Sequence, residues 1–142
     1  MKRAAFLLDL SREHHLALSL AHQVRKALKL GHPGEIREIG HDVSLRFQTE
    51  LAPHFAKEEF ELLPFLLAQG EVELVERTRA EHRALTELAG QIVREVSGAA
   101  AESLGGLLLE FAELLVSHVR FEERQLFERA QQLDMDDDRI FS

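Results

Sequence analysis

Histidine and glutamate recur in this chain at spacings that can hold metal ions. Residues 54–62 and 118–126 both read His-x-x-x-Glu-Glu-x-x-Leu. Residues four apart on a helix share a face one turn apart, so His54 with Glu58, and His118 with Glu122, each aim an imidazole and a carboxylate the same way. A shorter pair, Glu13-His14 and Glu81-His82, also occurs twice. The order along the chain is Glu-His, His-x-x-x-Glu, Glu-His, His-x-x-x-Glu, a repeated metal half-site.

A lone histidine on an apolar helical stripe is ordinarily a hydrogen-bonded core residue. Two glutamates in such stripes, each four residues after a histidine, are harder to explain, because a buried ionised carboxylate is costly unless it is paired or bound to a cation. The competing arrangement is a charged seam in which His and Glu pair only with each other. Buried ion pairs of that kind give little net stabilisation. Four imidazoles and two carboxylates exceed the needs of one four-coordinate ion and suit two, with carboxylates placed to bridge. Nitrogen and oxygen donors fit iron, manganese or zinc.

The ligand set expected from spacing is therefore His14, His54, Glu58, His82, His118 and Glu122. Three further residues stand as alternatives: His15 beside His14, and Glu59 or Glu123 as an added carboxylate balancing charge. A neighbour in sequence points about 100° away on a helix, so the last two fit equally well as outward charges. Glu13 and Glu81 either orient imidazoles across helix gaps or face solvent. His22, His32 and His41 read as surface or loop residues.

These side chains need four rods to carry them. The apolar spacing predicts an all-α, up-down-up-down four-helix bundle forming one domain over residues 1–142. An apolar arm over 1–10 precedes a first helix at about 11–30, capped by Ser11 and striped by Leu10, His14, Ala17, Ala21, Val24 and Leu28. The second helix, about 35–68, turns Phe47, Leu51, His54, Glu58, Leu62 and Phe65 inward. Pro53 and Pro64 each remove a backbone donor, predicting a kink or break near 49–53 and disturbed last turns. The third, about 71–97, is striped by Val75, Thr78, His82, Leu85, Ala89, Ile92 and Val96. The fourth, about 100–132, carries Leu104, Leu108, Phe111, Leu115, His118, Glu122 and Gln125 inward. An acidic tail over 133–142 is expected to fray.

Composition narrows the partners. With no cysteine among 142 residues, disulfides, iron–sulfur ligation and thiolate metal sites are excluded. The net charge of -8 argues against a nucleic-acid backbone as partner. No apolar run approaches the ~20 residues of a membrane span, and the short apolar start is cut by Asp9, Arg12 and Glu13, so a cytoplasmic location is expected. A homo-oligomer stays open.

The residues Arg12-Glu13-His14-His15, His54 to Glu59 with Leu63-Pro64, Glu81-His82-Arg83-Ala84-Leu85, and His118 to Glu123 with Leu126-Phe127 resemble the hemerythrin family, in particular its bacterial HHE cation-binding domains. The resemblance covers about residues 10–130. It implies a non-haem di-iron centre, with carboxylates and an oxo or hydroxo group bridging the irons and an open position for dioxygen. Carried over, His14, His54, His82 and His118 would be terminal ligands, and Glu58 and Glu122 the bridges. Thr78 stands where oxygen-carrying members have a second histidine on the third helix. The last motif is His-x-x-x-Glu rather than the carriers' His-x-x-x-x-Asp, although Glu123 meets the longer spacing. The implied function is a soluble di-iron protein that binds or senses dioxygen, a related oxidant or iron. The alternatives are an oxidase or peroxidase-like enzyme and an interaction bundle with a structural metal.

Overall fold

The computed structural model describes residues 4–98 and 101–133, and among these there is no strand. Four helical rods make up the fold. The first is Ala5–Leu30. The second begins at Pro33–Arg46 and continues without interruption to Leu63–Ala68. The third is Val72–Val96, and the fourth runs from Ala101–Phe121 through Glu122–Leu126 to Phe127–Gln132. Short links make consecutive rods antiparallel. The first rod packs most extensively on the fourth, and the third on the fourth, whereas the first and second share far fewer neighbours.

The arm expected over 1–10 is a correction from Ala5 onward, because the first helix already starts there. Leu7 and Leu10 are buried and extend the stripe through His14 at the same three-and-four spacing. Ser11 is no cap; its hydroxyl donates to Glu123 Oε2 at 2.8 Å. Gly31 closes the helix in the left-handed region at φ 75°, its N–H donating to the Ala27 carbonyl. Pro33 then opens the second helix at a position that needs no donor. The tail beyond Leu133 lies outside the described residues.

The prolines do not break the second helix. Each is absorbed by a π turn ending just ahead of it, Phe47–Leu51 before Pro53 and Glu58–Leu62 before Pro64. Across these turns the amide of Ala52 reaches the carbonyl of Phe47, and that of Leu63 reaches Glu58, five residues back rather than four. The fourth helix contains the same turn at Glu122–Leu126, with no proline nearby. Each added residue shifts the inward face by one position. Leu66, not the half-buried Phe65, is therefore fully buried, and Leu126 is buried where Gln125 is exposed.

The core is divided in two. One apolar cluster includes Ala17, Val24, Phe47, Leu85, Phe111 and Leu115. The other includes Leu7, Leu10, Leu63, Leu66, Phe127 and Ala130. On every rod a buried histidine stands at the border of the two clusters, His54 and His118 each followed directly by a member of the first, with a buried glutamate one turn later on the second and fourth rods.

Candidate metal centre

The six residues read from spacing converge. His14, His54, His82 and His118 are at most 3% exposed, and Glu58 and Glu122 are at 0%. Their donor atoms form two overlapping groups, His14, His54, Glu58 and Glu122 in one and Glu58, His82, His118 and Glu122 in the other. Within each group the atoms lie within 4.8 Å of one another. Glu58 and Glu122 belong to both, the position of carboxylates shared between two sites.

Every imidazole turns Nε2 inward. His14 Nε2 lies 2.8 Å from Glu122 Oε1, and His82 Nε2 lies 2.9 Å from Glu58 Oε1. His54 Nε2 is 3.2 Å from Glu58 Oε2, and His118 Nε2 is 3.1 Å from Glu122 Oε2, each one turn along its own helix. These last four atoms are buried without hydrogen-bond geometry to any partner. Unpaired polar atoms in a protein core are costly, and four facing one another are the donor set a cation satisfies.

Every Nδ1 is held from outside by a different carboxylate on a neighbouring rod. Glu123 takes His14 at 2.7 Å, Glu13 takes His54 at 2.9 Å, Glu59 takes His82 at 2.7 Å, and Glu81 takes His118 at 2.7 Å. Such a partner fixes the tautomer that presents Nε2 to the centre and strengthens it as a donor. Glu13 and Glu81 thus orient imidazoles across helix gaps. Glu59 and Glu123 do the same and face away from the central atoms. His15 is exposed and belongs to neither group.

Spacing did not reveal what steadies this outer ring. Lys57 Nζ contacts Glu13 Oε2 at 2.6 Å. Arg77 Nε donates to Glu81 Oε2 at 2.9 Å while its guanidinium sits 4.0 Å from the Phe121 ring centroid. Phe55 stacks on His82 with centroids 4.0 Å apart, and Phe127 on His14 at 5.2 Å. The signal was present in part, since Lys57 stands one turn beyond His54 and Arg77 one turn before Glu81. Thr78 is buried, but its hydroxyl donates to the Leu74 carbonyl at 2.7 Å.

Charge is concentrated here. Burial opposes protonation of His54, yet the facing carboxylates of Glu58 and Glu122 outweigh it and push the imidazole up to about 11. The same opposition leaves His82 at about 10, through Glu122 and Glu58, and His118 at about 9, through Glu122 and Glu81. His14 is raised as well, by Glu122 and Glu123 against burial. Glu122 is held well below the usual carboxylate range, its burial overcome first by His118. Burial would also raise Glu13 and Glu81, but Lys57 with His54, and His118 with Arg77, hold them down. Without metal, the inner atoms therefore keep protons where a cation would otherwise sit.

Halves of the site repeat each other. Glu13, His14, His54, Glu58 and Glu59 on the first two rods correspond to Glu81, His82, His118, Glu122 and Glu123 on the last two, with matching contact distances. Among the described residues no helix is long and apolar enough to cross a membrane. The sequence matches no curated protein and no solved structure. It does match the family model of the hemerythrin HHE cation-binding domain over residues 7–130, which span all four rods and every residue of the His/Glu cluster, and the chain belongs to that family.

Proposed function

We propose that this protein holds two iron ions within the bundle and uses them to bind or sense dioxygen or a related small oxidant. His14 and His54 would serve one ion, His82 and His118 the other, and Glu58 and Glu122 would lie between them. The observation carrying this reading is the pair of overlapping four-residue groups that share two fully buried glutamates. Nitrogen and carboxylate donors without thiolate fit iron, manganese or zinc, and membership of the hemerythrin family favours iron among them. Iron would supply a redox-active centre for a diatomic ligand; the chain's own residues orient the imidazoles and keep bulk water out.

Anaerobic loading with Fe(II), admission of oxygen, and repeated evacuation while the visible spectrum is followed test the proposal. An absorption band that oxygen brings and evacuation removes supports binding. A metal-loaded protein with no spectral response to oxygen or peroxide would leave only a structural metal and overturn it. A di-iron enzyme is the second reading, favoured by a cavity beside His14 and His54. Steady consumption of a reductant, lost in Glu122→Ala, would establish that reading.

A further inference from the structure

The two halves of the site match in their ligating residues but not in what packs around them. Ala17 follows His14 by three residues, and Leu85 follows His82 by three. Val119 is next to His118 where Phe55 is next to His54. Lys57, with its side chain 49% exposed, stands at the position that Phe121, 3% exposed, takes in the other half. In two of these comparisons the larger buried apolar side chain, Leu85 or Phe121, belongs to the half built on the third and fourth rods; in the remaining one the smaller Val119 reaches from the fourth rod to the first two.

The other half is left open. A cavity of about 260 Å³ lies between the first two rods and reaches the fourth. Its inner wall is His14, His54 and His118, its sides include Ala17, Leu51, Phe55, Leu115 and Val119, and its mouth carries Glu13, Thr49, Glu50 and Lys57. Dry cavities of ~150 Å³ lined wholly by apolar side chains take benzene, whereas one water accounts for about 30 Å³. The space is thus several times what a diatomic gas requires and large enough for one six-membered ring with a substituent.

We propose that this cavity is a binding site for a small, uncharged, largely apolar organic molecule, seated against the edges of His14 and His54. The sides Ala17, Leu51, Phe55, Leu115 and Val119 supply the binding, and the imidazoles behind them are already paired with carboxylates, so an ion would leave water without a free partner. Glu13 and Lys57, paired at the mouth at 2.6 Å, offer no free charge to an ionic ligand. The consequence of this binding rests on the proposed metal reading, since the cavity meets both histidines of one ion and only His118 of the other; the binding itself does not.

Benzene, phenol and indole are the probes, applied to the full chain in its iron-loaded and metal-free forms and followed by ligand-observed NMR and calorimetry. At least one should bind at a single site in both forms. Ala17→Leu and Val119→Phe, which put the larger residue of each matched pair into the cavity wall, should each weaken that binding about tenfold or more, a change of ~1.4 kcal/mol. Helical content and iron content should stay at wild-type levels, and the second variant guards against misfolding of the first. Absence of binding by all three probes, or binding unchanged in both folded variants, overturns the proposal. Loss of iron binding with probe binding retained would instead sink the metal reading alone.

Discussion

At the scale of single residues, the centre depends on a division of labour between two kinds of glutamate. Glu58 and Glu122 are fully buried and face Nε2 atoms, whereas Glu13, Glu59, Glu81 and Glu123 are partly exposed and hold Nδ1 atoms. Glu58→Ala or Glu122→Ala should abolish tight binding of both ions, because each removes a carboxylate common to both groups. Glu81→Ala should leave both ions in place but weaken affinity by about 10–100-fold, the usual effect of removing a partner that orients a ligating histidine. Competition with a metal chelator would distinguish the two classes, and equal losses would refute the division. A pH dependence follows from the same charges. The raised imidazoles contribute stability that is fully present below 6.5 and is lost as pH rises through about 9 to 11. The lowered carboxylates of Glu13, Glu81 and Glu122 contribute above 4.5 and lose that contribution as pH falls. Thermal melts of the metal-free chain should therefore show decline on both sides of a neutral plateau. With metal bound the alkaline decline should vanish, since coordinated imidazoles carry no proton on Nε2 to lose.

At the scale of the helices, the π turns decide which face meets the core. Leu126→Ala should cost about 2–5 kcal/mol, as for other fully buried leucines, while Gln125→Ala should stay within about 0.5 kcal/mol. Chemical denaturation would settle the order, and the reverse ranking would mean that the helix keeps its regular register. Gly40 offers a second check, because a methyl group there would stand 2.8 Å from Val96 Cγ2 and 3.2 Å from Leu104 Cδ2. Gly40→Ala should destabilise by roughly 1–3 kcal/mol through overpacking. The stripes of the first and third helices were legible in the sequence, from Leu10 to Val24 and from Val75 to Val96, because uninterrupted helix keeps one period. Past His54-x-x-x-Glu58 and His118-x-x-x-Glu122 the period slips by one residue, so an unbroken spacing turns Phe65 and Gln125 inward where the helix does not. Apolar pairs at Leu62-Leu63 and Leu126-Phe127 were the available hint. The ligating residues themselves could be read because each motif lies within one helix. Which carboxylate holds which Nδ1 could not, since every one of those contacts crosses from one rod to another.

At the scale of the whole molecule, a polar layer with two apolar clusters beside it ties all four rods to one site. A cation bound there restrains every rod at once, so metal should act on global stability rather than on one segment. Metal free at 100 to 1,000 times its dissociation constant adds about 3–4 kcal/mol per site, and removal of both ions should lower the melting temperature by ~10 °C or more. Scanning calorimetry of loaded and chelated protein would measure it. The closed packing of the third and fourth rods against the looser first and second makes the molecule asymmetric around a nearly symmetric centre. The most direct test of the central claim is metal analysis of the purified protein after anaerobic loading with Fe(II) and removal of excess iron. The expected result is two irons per chain, falling to none in the Glu58→Ala, Glu122→Ala double variant. A folded protein that retains no iron, or a double variant that still retains two, would contradict it.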